Sequence, residues 1–130
     1  MDERYVDQLM SRPVVTVTPD TSLRDAAADL IENDVGAVVV VDGAGRLEGL
    51  LTATDFVLLA RDGTASPDAT VAEWMRTDVV TTRRSAPLSD VADTMLEHLV
   101  HHVPVVDGGA VVGMVTTLDL VAHLARSLEP

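Results

Sequence analysis

Two Thr-x-x-Asp pairs, Thr52/Asp55 and Thr116/Asp119, carry the residue types and spacing best suited to chemistry in this chain. Each follows an apolar stretch and opens a helix-like pattern, which puts it where a strand ends and a helix begins. Backbone N–H groups at a helix start lack intrahelical partners and favour anions such as phosphate. An ionised carboxylate offers two acceptor oxygens, suited to the vicinal hydroxyls of a ribose. Together these groups describe a nucleotide site. The same spacing also describes a capping box, in which threonine and carboxylate satisfy the helix's own N–H groups. Spacing alone leaves both readings open.

Basic and imidazole groups gather in the second half of the chain, at Arg83, Arg84, His98, His101 and His102. Arg83, Arg84, His101 and His102 supply the donors that polyphosphate recognition needs. The three histidines also suggest metal sensing as an alternative, because borderline metals favour imidazole. No cysteine accompanies them, and no metal ligands are assigned. A nucleophile–base pair and a Gly-rich phosphate loop are both missing from the sequence, so no catalytic residues are named and no enzyme is expected.

The elements that must position these residues are written twice. Residues 6–43 align with 71–108 at an offset of 65, with fifteen identical pairs that include Met10/Met75, Thr16/Thr81, Asp25/Asp90 and Asp42/Asp107. After a one-residue contraction the match resumes as Gly49–Asp55 against Gly113–Asp119. Two copies make a paired unit rather than a solenoid. Each copy has a lead segment (Val6–Met10; Val71–Met75) and a β-branched strand (Val14–Val17; Val79–Thr82). An amphipathic helix follows, with Leu23, Ala26, Ala27, Leu30 and Ile31 matching Leu88, Val91, Ala92, Met95 and Leu96. Then come a strand buried on both faces (Ala37–Val41; Val103–Val106), an Asp-Gly turn, a third strand (Leu47–Leu51; Ala110–Val115) and a second helix (Asp55–Arg61; Asp119–Arg126). The expected fold is α+β, β-α-β-β-α twice. Repeat one spans residues 1–62, a turn-rich linker 63–69 and repeat two 70–130.

Composition narrows the function classes. At 130 residues the chain makes one module of two copies, each marginal alone. It holds no cysteine and no lysine, and 21 acidic residues against 9 arginines give a formal charge of −12. Such charge is self-repelling at low salt, and molar salt, with a Debye length of roughly 3 Å, removes most of that cost. The balance suits a halophilic cytoplasm and disfavours direct nucleic-acid binding. No apolar run reaches the ~18 residues of a membrane span. The N-terminal Met-Asp-Glu-Arg has no secretory character, so a cytoplasmic protein is expected.

The order of elements, with Val103-Pro104-Val105-Val106-Asp107-Gly108 and Gly113-Met-Val-Thr116-Thr-Leu-Asp119 in repeat two, resembles the cystathionine-β-synthase (CBS) domain family. Repeat one carries Val38–Gly43 and Gly49–Asp55 in the same places, with Val39 where Pro104 stands. The chain is similar to a tandem CBS pair, or Bateman module. The resemblance implies two repeats packed by their sheets about a pseudo-twofold axis, with ligands in the cleft between them. It implies that the Asp of each Thr-x-x-Asp holds a ribose and that the Thr lies beside the ligand. By that analogy Thr116 and Asp119 would face Thr16, Thr21, Gly36, Ala37 and Val38, while Thr52 and Asp55 would face Thr81, Arg83, His101, His102 and Pro104.

The basic residues put an anionic ligand on the Asp55 side. The implied function is a regulatory module without a cofactor, whose regulatory ligand is AMP, ADP, ATP or S-adenosylmethionine and which signals to an unidentified protein effector. A homodimer formed through exposed apolar helix positions (Leu58, Leu59, Val121, Leu124) is expected. A ligand-free dimerisation or docking module is the alternative.

Overall fold

The computed structural model describes residues 4–63 and 66–128. Thr64 and Ala65 of the expected linker, and the terminal residues Met1–Glu3 and Glu129–Pro130, lie outside them. The elements run from a 3-10 turn (Val6–Gln8) through β1 (Thr16–Val17), α1 (Leu23–Asn33), β2 (Ala37–Val41), β3 (Leu47–Thr52) and α2 (Ala53–Asp62). The second copy follows as α3 (Val71–Trp74), α4 (Leu88–His98), β4 (His102–Asp107), β5 (Ala110–Thr116) and α5 (Thr117–Ser127). The fold is α+β.

Every residue of β2 is buried, which its Val run requires. β2 lies between β1, in parallel, and β3, antiparallel. β4 and β5 form the matching hairpin, with the same irregularity at Val105/Val106 that β2 has at Val40/Val41. The expected strand Val79–Thr82 contracts to one parallel bridge, Thr82 to Val105. Pro104 explains the loss. Val39 donates its N–H to the Val15 carbonyl at 3.1 Å, and the proline in that place has no N–H to give.

The packing units do not coincide with the sequence repeats. One comprises Val15–Val79, and the other comprises Val80–Pro130 together with Met1–Val14. Val71, fully buried, belongs to the core of Val17, Leu23, Ala26, Leu30, Val38, Val40 and Leu51. Val6 and Met10 belong to the core of Val91, Met95, Val103, Val105 and Val115. Each repeat's lead segment therefore packs on the strands of the other repeat. Ladder contacts fix it there: Arg76 exchanges backbone hydrogen bonds with Leu50 at 3.0 Å, and Ser11 does the same with Met114 at 2.8 and 3.1 Å. Gly49 and Gly113 make the approach possible. A Cβ on Gly49 would lie 2.6 Å from Met75 Sδ and 2.8 Å from the Arg76 carbonyl oxygen, and one on Gly113 would lie 2.5 Å from Met10 Sδ.

Three helix details differ from the sequence pattern. Ile31 and Leu96, the fifth members of the two apolar stripes, are 80% and 75% exposed. Leu59 packs against its unit's core rather than pointing outward. Thr52 and Thr116 cap helices that start two residues earlier than the apolar pattern suggests.

Candidate functional site

Thr52 is the last residue of β3 and the N-cap of α2, and Thr116 stands in the same relation to β5 and α5. Both have extended backbones, and both close a reciprocal capping box. The Asp55 N–H donates to Thr52 Oγ1 at 3.2 Å while Asp55 Oδ2 accepts from the Thr52 N–H at 2.9 Å. The corresponding distances at Thr116/Asp119 are 3.1 and 2.8 Å. The capping reading is thus realised in both copies. It uses one carboxylate oxygen and leaves the other for a second role.

The hairpins bring the start of the second strand to each cap. Ala37 is paired with Thr52, and the Ala53 N–H donates to the Gly36 carbonyl at 2.9 Å. His102 is paired with Thr116, and the Thr117 N–H donates to the His101 carbonyl at 3.0 Å. Within each unit, then, Asp55 keeps company with Gly36–Val38, and Asp119 with His101–Pro104. Pro104, Ala37 and Val38 are buried. His101 is exposed, and His102 is half-buried. Burial pushes the His102 imidazole below its ordinary pKa, with His101 adding to the effect and Asp119 opposing it.

The two carboxylates differ in what else they hold. Asp55 is the one buried charged side chain among the described residues. Its Oδ1 accepts from Arg76 Nε at 3.0 Å and Nη2 at 2.8 Å, and its Oδ2 accepts a further bond from the Thr52 hydroxyl at 3.0 Å. Burial raises its pKa, but the Arg76 and Thr52 hydrogen bonds together outweigh that and hold it below the ordinary value. Asp119 is half-buried, and among the described residues its carboxylate accepts only the Thr116 N–H. The residue aligned with Arg76 is Ser11, whose side chain is too short to span a comparable gap. Arg76 was visible in the repeat alignment as a Ser11/Arg76 mismatch, but nothing local ties it to a carboxylate 21 positions away.

The remaining expected site residues have the following surroundings within their own units. Thr16 and Thr21 line a shallow groove of about 560 Å³ with Asp25, Asp29 and Glu32, an acidic surface. Thr21 Oγ1 accepts from the Thr18 N–H at 3.1 Å, a local turn contact. Thr81 and Arg83 flank the Thr82 bridge and are exposed. Arg83 follows a residue bonded to Val106, about 13 Å along β4 from His102 at ~3.3 Å per residue. Arg84 pairs with Asp107 at 3.4 Å. Arg83 and Arg84 therefore do not assemble with the Thr-x-x-Asp element of their own unit. Among the described residues no three His, Cys, Asp or Glu are grouped as a metal site, and no helix is long and apolar enough to cross a membrane.

The CBS domain family model matches this chain twice, at residues 6–62 and 64–126. The CBS domain-containing protein YhcV of Bacillus subtilis is 31% identical over 118 residues, covering 91% of this chain and 84% of that protein. Hypoxic response protein 1 of Mycobacterium tuberculosis is 32% identical over 117 residues, covering 89% and 82%. The structure of the CBS domain pair of protein MJ0100, in complex with 5′-methylthioadenosine and S-adenosyl-L-methionine, superposes with a TM-score of 0.90 at 28% identity, covering 97% of this chain and 99% of that one. With two matched copies, the repeated capping elements and this structural likeness, the chain belongs to the CBS domain family as a tandem CBS pair.

Proposed function

We propose that this chain is a regulatory module that binds an adenosine-containing ligand through a Thr-x-x-Asp element and passes the change to a partner protein. The observation that carries the reading is the half-buried Asp119 carboxylate, fixed by its capping box and, among the described residues, otherwise uncommitted beside the start of a helix. Such a carboxylate is preorganised to accept a ribose diol. The MJ0100 pair, solved with two adenosyl ligands, supports the ligand class. Within the Asp119 unit Arg83 and Arg84 stand away from the element, which favours adenosyl ligands without a polyphosphate, such as S-adenosylmethionine, over ATP.

The module acts without catalysis of its own, shifting a conformational equilibrium by its differential affinity for two states. Its setting is a high-salt cytoplasm, where a charge of −12 is screened. Calorimetric titration in molar KCl with S-adenosylmethionine, AMP and ATP tests the reading. Saturable binding that Asp119→Ala weakens at least ~10-fold, the loss of a charge-assisted hydrogen bond, supports it. No binding by any of the three defeats it.

A second reading, a docking or dimerisation module, is favoured by one observation. α5 exposes Leu118, Val121 and Leu124 at 73%, 59% and 57%. Light scattering in high salt tests the homodimer, which a monomeric mass would eliminate.

A further inference from the structure

Duplication supplies two ribose-type carboxylates, and the structure gives one of them an internal partner. A carboxylate has about four lone-pair sites. Asp55 fills four, with the Thr52 N–H, the Thr52 hydroxyl, Arg76 Nε and Arg76 Nη2. Asp119 fills one among the described residues, with the Thr116 N–H. A vicinal diol needs two acceptor positions. Asp119 offers them, and Asp55 does not.

We propose that Arg76 closes the Asp55 site, so that the chain binds one adenosyl ligand, at Asp119, and that position 76 decides the number of sites. The proposal rests on the adenosyl reading above and adds the stoichiometry to it. The pairing is held from both ends. Backbone hydrogen bonds to Leu50 at 3.0 Å in both directions fix Arg76 beside β3. From there the guanidinium reaches a carboxylate already aimed by its capping box. The cation also offsets the burial of Asp55, so a neutral diol displacing it would leave that charge poorly compensated. In the other unit the same backbone ladder, Ser11 with Met114, presents a serine in this place and leaves Asp119 open.

The reciprocal exchange tests this. 5′-Methylthioadenosine, which has no phosphate, is the probe, titrated calorimetrically against the full chain in molar KCl, with folding of each variant checked by circular dichroism. Wild type is expected to bind one equivalent, and Asp119→Asn, which keeps a capping side chain, to lose it by roughly 10- to 100-fold. Arg76→Ser is expected to bind two equivalents. Ser11→Arg, which recreates the closing cation opposite Asp119, is expected to lose the single site. Two equivalents in wild type, one in a folded Arg76→Ser, or full binding by Ser11→Arg would overturn the closure by Arg76 while leaving the adenosyl reading intact. No binding by wild type and Arg76→Ser alike overturns the adenosyl reading, and this proposal with it.

Discussion

The unit built around Asp55 and the unit built around Asp119 share their capping boxes and their bulged hairpins, yet they treat the same carboxylate in opposite ways. In the first, an arginine directly after the other repeat's lead segment saturates it. In the second, serine stands directly after the lead segment and, among the described residues, the carboxylate keeps its acceptor capacity. The lesson concerns where divergence acts. The residue that separates the two copies here, Arg76 against Ser11, lies at the end of the exchanged lead segment and not in the Thr-x-x-Asp element. One repeat therefore sets the chemistry of the other.

The largest effect expected concerns the scaffold that brings the lead segments in. Gly49→Ala places a methyl against the Arg76 backbone carbonyl as well as Met75, whereas the nearest atoms to a methyl at Gly113 all belong to the Met10 side chain. Overpacking of this kind costs about 1–3 kcal/mol. Urea unfolding should place Gly49→Ala at the top of that range and Gly113→Ala at the bottom. Equal losses would mean that the two approaches are not as different as their contacts imply.

Next in size is the ion pair itself. Arg76→Ser should destabilise by about 1 kcal/mol, the low end for a charge-assisted contact because Arg76 is 59% exposed. The pair lowers the folded-state pKa of Asp55 below its ordinary 3.8. Its stabilisation is therefore complete above that ordinary value and disappears as pH falls through the folded-state value. Wild type and Arg76→Ser should differ at pH 7, and the gap should close as pH falls below the ordinary 3.8, as followed by thermal unfolding. A pH-independent gap would assign the loss to packing rather than charge.

The smallest effect expected compares the ends of α1 and α4. Both close on a left-handed residue, Asp34 at φ 52° and Leu99 at φ 55°. Leucine tolerates this conformation poorly, and its side chain is 84% exposed, so little packing compensates. Leu99→Gly should stabilise by roughly 0.5–1 kcal/mol, and Asp34→Gly by less. Destabilisation by Leu99→Gly would show that the exposed leucine has a partner in solution.

Much of this architecture was legible because it is local. The Val runs of β2 and β4, the Leu-Ala stripe of α1 and the Thr-x-x-Asp caps are each specified within a few residues. The exchange of lead segments was not legible. Val6 and Val71 are both fully buried and identical in type, so either pairing of lead and core satisfies the pattern. The shortened first strand of the second copy follows from Pro104, a residue noted only as a departure from repeat one. The site was half visible. Asp55 and Asp119 stand out by spacing, but the Arg76 contact spans 21 positions and depends on the exchange. Within their own unit His101 and His102 stand beside Asp119, and Arg84 beside Asp107, pairings set by the β4–β5 register that no local motif announces.

The most direct test of the account is the stoichiometry of 5′-methylthioadenosine binding to the double variant Arg76→Ser/Asp119→Asn, set beside Asp119→Asn alone. No site is expected in the single variant and one site, at Asp55, in the double. A site in the single variant, or none in a folded double variant when wild type binds, would contradict it.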